Sequence, residues 1–103
     1  MITKKEIKSN MSKIKKLDKA HEVCMLNDEL QYSLEEEARQ QMFSLMTRVE
    51  KRLTQENTSK ITMNKLYDYR EGLNYSRTID GVYNGIWASI RLCMIFIECF
   101  VLH

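Results

Sequence analysis

Two short pairs in the chain have the residue types and spacing of metal ligands. His21 and Cys24 are three positions apart, and Cys99 and His103 are four apart. Each pair would share one side of a helix, and two thiolates with two imidazoles suit tetrahedral zinc. The pairs are 75 residues apart, neither is a Cys-x-x-Cys knuckle, and His103 stands at the chain end. They read better as a buried thiol, a part-exposed imidazole and a frayed end, with no metal and no cofactor. Glu35, Glu36 and Glu37 are consecutive. Successive side chains point about 100° apart around a helix, so these three build no paired-carboxylate acid–base site. The chain has no Gly-rich phosphate loop, no Gly-x-Ser-x-Gly elbow and no His-Glu-x-x-His pair, and no enzyme is expected.

Residues suited to binding are more plentiful. Residues 1–19 hold seven lysines against Glu6 and Asp18, a net charge of +5, and residues 20–38 hold six acids with no Lys or Arg, a net of −6. Two such segments attract each other antiparallel, within one chain or between two copies. Lys4, Lys8, Lys15 and Lys19 recur at spacings of four and seven and are expected to form the basic outer face of a helix, opposite its apolar stripe. Tyr67, Tyr69, Tyr75, Tyr83 and Trp87 interleave with Arg70, Arg77 and Arg91. Tyrosine and arginine carry much of the energy at protein interfaces. Tyr69, Arg70 and Arg77 join the four lysines as the expected partner-binding set.

These side chains need elements to position them. Ile7, Met11, Ile14, Leu17, His21, Cys24 and Met25 have helical spacing, which predicts a first amphipathic helix. A break is expected near residues 27–33. Ser33 followed by Glu36 has the form of a capping box, so a second helix is predicted from about Leu34 to Gln55. Asn57-Thr58-Ser59 reads as a turn. Residues 1–56 are thus an amphipathic helical hairpin, and 57–103 an aromatic-rich segment ending in a buried helix, all in one domain. From Ile79 to Val101 the apolar residues cover a broad helical face, and Gly81, Gly85 and Ser89 form a small ridge on it. Gly81, Gly85 and Trp87 are expected at a close helix crossing or a dimer contact. The order Met63–Arg70, then Gly72-Leu73-Asn74, then Ser76 also has the form of a degenerate helix-turn-helix over residues 63–85. Arg77, Thr78, Asp80 and Asn84 would then face base edges.

Composition bounds the rest. In 103 residues, 44% are apolar and 29% charged, with no proline and three glycines, and the net charge is +2. Such a chain is globular, and its scarcity of turn residues argues against a sheet-rich fold. Ile86–Leu102 is the most apolar stretch, but Arg91 and Glu98 interrupt it, which favours a core or interface helix over a membrane span. Three cysteines without a framework spacing point to free thiols in a reducing, cytoplasmic setting. The fold expected is all-α: a compact bundle of three to four helices with a buried C-terminal helix. The function expected is a non-enzymatic binding protein, an inhibitor or adaptor of a macromolecular partner, acting as a homodimer through protein–protein contacts. The alternative is a DNA-binding transcriptional regulator.

Overall fold

A computed structural model describes residues 1–24, 27–74, 77–79 and 82–103, with the backbone alone at 28, 77–79 and 82–84. The described residues form a bundle of four helices with one short hairpin. Helix α1 is Lys4–Val23, α2 is Asp28–Gln55, α3 is Lys60–Glu71 and α4 is Ile86–Phe100. A 3-10 turn, Gly72–Asn74, follows α3, and strands β1 (Arg77–Ile79) and β2 (Val82–Asn84) precede α4.

α1, α2 and α3 each begin where a side chain can satisfy one of the first free N–H groups. Thr3 caps α1 in a reciprocal box: its hydroxyl accepts from the Glu6 N–H, and the Glu6 carboxylate accepts from the Thr3 N–H at 3.2 Å. Asn27 caps α2, its Oδ1 accepting from Leu30 N at 3.0 Å. The break therefore falls before residue 28, and Ser33, expected as the cap, lies inside α2 with an exposed side chain. The chain can enter the helix as soon as a competent cap is reached, and Asn27 is reached first. Between α2 and α3, Asn57 adopts φ 54° and Ser59 caps α3 through Thr62 N, as the polar turn predicted.

α1 and α2 are antiparallel, tied by Arg48–Glu6 at 3.1 Å and by Arg52 Nη1 on the Ile2 carbonyl at 2.9 Å. Ile7, Met11 and Ile14 of α1 and Met42, Leu45, Met46 and Val49 of α2 belong to one buried core. α2 also packs against α3 and α4, so the longest helix is the spine of the bundle. The molecule measures 45 × 32 × 18 Å, two helical layers thick. α4 buries Ile86, Trp87, Ile90, Cys93, Met94, Phe96 and Ile97 in the core. Burying an aliphatic or aromatic side chain of this size contributes about 1.5–3 kcal/mol.

The sequence before α4 departs from expectation. Residues 77–79 and 82–84 are paired antiparallel, Arg77 with Asn84, Thr78 with Tyr83 and Ile79 with Val82, so they are neither a recognition helix nor the start of α4. The two residues between the strands are Asp80-Gly81, a dipeptide strongly preferred in two-residue hairpin loops. Gly85 precedes α4 as its N-cap with extended backbone, so it forms no ridge inside a helix. The close approach is made elsewhere. A Cβ on Gly72 would stand 3.4 Å from Ser89 Oγ, where the end of α3 meets the first turn of α4.

Candidate functional site

α1 presents the lysines in a different direction from that expected. Helical phase puts the row Lys4, Lys8, Lys15 and Lys19 about 80° from the Ile7–Met11–Ile14 core line rather than opposite to it. The row therefore borders α4. Lys15 reaches Glu98 at 3.2 Å, and one helical turn on, Arg91 grips Asp18 with two hydrogen bonds of 2.8 and 3.1 Å. Glu22 adds a longer contact to Arg91 at 3.7 Å. Among the described residues, Lys15 is the one lysine of residues 1–19 in an ion pair, and its partner is not in the acidic segment 20–38. Beyond Glu22, that segment turns elsewhere: Glu35 faces His21 at 3.6 Å and Glu36 bonds Arg39 and Gln40. The hydrogen bonds from Arg39, then Gln40, hold the Glu36 carboxyl below the usual range. Lys4, Lys8 and Lys19 remain exposed.

Tyr69 and Arg70 are engaged within the chain. Tyr69 is half-buried, its ring edge-on to Phe96 at 6.0 Å, and its carbonyl accepts from the Cys93 thiol. Arg70 pairs with Glu50 at 2.8 Å and lies over the rings of Phe43 and Tyr67. The exposed tyrosine of α3 is Tyr67. Gly81 and the Arg77 side chain lie outside the described residues. Trp87 is buried against His21, ring centres 4.7 Å apart, and among the described residues neither Trp87 Nε1 nor His21 Nδ1 has a hydrogen-bond partner. The two His/Cys pairs fall at opposite ends of α4. His21 stands beside Trp87 at its start, while Cys99 and His103 lie at its end. Among the described residues no three His, Cys, Asp or Glu side chains are placed to hold a metal ion, and no helix is long and apolar enough to cross a membrane.

α4 also has an apolar side outside the core, which its larger inward set conceals in the sequence. Leu92 and Ile95 are 45% and 53% exposed, on the side away from the core. Ala88 and Cys99 are exposed with them. The signal was present as a run of apolar residues at spacings of four, three and four, hidden by the larger inward set. The lysine row and this outward apolar stripe run side by side, joined by the Lys15–Glu98 and Asp18–Arg91 pairs. A shallow groove at the seam is lined by Lys8, Met11, Ser12, Lys15, Glu98 and Leu102. Comparison of the chain with protein-family models, curated proteins and solved structures finds no match.

Proposed function

We propose that the chain is a non-enzymatic binding protein of the cytoplasm that acts by occupying or bridging a protein partner, as a small inhibitor or adaptor does, and that it works as a homodimer. The observation that carries this reading is the row of exposed lysines on α1, of which only Lys15, with Glu98, is ion-paired among the described residues. Lysines held in a row on a rigid helix attract an acidic patch from a distance and fix its orientation. The adjoining apolar stripe offers non-directional affinity to whatever covers it. The free thiols Cys24, Cys93 and Cys99 suit a reducing compartment.

The test is comparative capture. Tagged wild type and a K4E/K8E/K19E variant are exposed to lysate of the native host, and retained proteins are identified and then titrated in purified form. A protein bound by wild type and at least tenfold more weakly by the variant supports the reading. Selective retention of no protein overturns it. So does tight binding of duplex DNA that weakens steeply with added salt, since loss of affinity in proportion to neutralised phosphates marks a nucleic-acid ligand.

A further inference from the structure

α4 is apolar on two opposed sides. Ile90, Cys93, Ile97 and Val101 point inward and are buried. Ala88, Leu92, Ile95 and Cys99 point outward and are exposed. At 100° per residue the outward four fit within an arc of about 60°, close to diametrically opposite the core line. Their four-three-four spacing is the a/d stripe of a coiled coil. Arg91 and Glu98 are seven apart, so both flank the stripe on the same side, the side of α1. Their side chains stay 50% and 51% exposed although they also contact Asp18 and Lys15. The other flank is occupied by Ser89 against Gly72 and by Phe96 against Tyr69.

We infer that this face is covered by a second copy of the chain, with the two α4 helices antiparallel about a two-fold axis between Cys93 and Met94. The inference rests on the homodimer reading above and assigns it a surface and a register. In this register Leu92 meets Ile95 of the second copy and Ala88 meets its Cys99, with each contact repeated by symmetry. Antiparallel helices place like flanks together, so Arg91 falls beside Glu98 of the second copy and Glu98 beside its Arg91. The charge pattern is self-complementary here and in no neighbouring arrangement. Moving the axis to Ile97 would set Glu98 against Glu98. A parallel pair would set Arg91 against the Phe96 flank, which has no acid. Like charges facing each other select against the first of these. The second leaves Arg91 without a new acidic partner.

The contact is short, about 16 Å of helix, and smaller than a standard interface. The two α1 helices also fall on the same side of the pair, where their lysine rows repel. Both effects keep the dimer weak and in exchange with monomer.

The test uses the full chain with Cys24→Ser throughout. Analytical ultracentrifugation from about 1 to 200 µM, the range where a small interface dissociates, should show monomer giving way to dimer. Leu92→Asp, at an exposed site, should keep the helical circular dichroism and remain monomeric at every concentration. Under mild oxidation Ala88→Cys should form a disulfide-linked dimer with the native Cys99. The same variant with Cys99→Ser should not, and neither should the chain with Ala88 intact. Monomer alone at the highest concentration would overturn the dimer reading and this inference together. A dimer that survives Leu92→Asp would leave the dimer reading standing and remove this face from it. Cross-linking through Cys99 with Ala88 intact would show a parallel pair and overturn the register.

Discussion

Among the described residues Phe96 is the largest side chain fully sealed from solvent, touching Tyr69 on α3 and Phe100 one turn along α4. Phe96→Ala is expected to cost about 3–5 kcal/mol, a transfer term plus the cavity left behind. Phe100→Ala, at a ring that is 39% exposed, should cost far less. Urea denaturation of both variants checks the contrast, and equal losses would mean that the Phe96 ring is not packed as described. Cys93 offers a second check at this scale. Burial pushes its thiol up from 9.0 to about 12. Below pH 9.0 it is protonated in folded and unfolded chains alike and does not affect their balance. Between 9.0 and about 12 the unfolded chain releases the proton and the folded chain holds it, so stability falls as pH rises. Relative to Cys93→Ala, wild type should lose up to about 1.4 kcal/mol per pH unit across that window. A pH series of denaturation curves on both proteins measures it. The native thiol should also resist a disulfide reagent that labels the exposed Cys99 quickly, since the thiolate is the reactive form.

At the scale of elements, the capping residues decide where each helix starts, and two caps compete for α2. Asn27 bonds Leu30 N, whereas Ser33 is exposed within the helix. Asn27→Ala is expected to cost about 1 kcal/mol and Ser33→Ala to be neutral or slightly stabilising, because alanine is the better helix former. Thermal unfolding of the pair decides between them, and a larger loss at Ser33 would move the start of α2 to residue 34. Helix period was legible in α1, α2 and α3 because each buries one side and wets the other. The hairpin was not, since three-residue strands are too short to show alternation. The Asp80-Gly81 dipeptide in the sequence was the available sign, and a helical pattern running on from Ile79 masked it.

At the scale of the molecule, the seam between α1 and α4 is dressed with ion pairs while the core beneath is apolar. Arg91 and Glu98 are half exposed, where water screens a pair and long side chains lose entropy on being held. Asp18→Asn should therefore lower stability by at most about 1 kcal/mol, and raising NaCl to about 1 M should change the stability of wild type and variant nearly alike. A loss matching that of Phe96→Ala would show that charge, and not packing, holds α1 against α4.

The all-α class, the polar turn at 57–59, the apolar inward faces and the lysine row at 4, 8, 15 and 19 follow from residue spacing, because helical period is a local property that each segment carries alone. The direction in which the row points, the withdrawal of Tyr69 and Arg70 into internal contacts, and the outward apolar side of α4 depend on which helix lies next to which. Spacing tells how many sides of a rod are apolar. Only the packing of α2, α3 and α1 around α4 determines which of those sides is already covered and which still faces water.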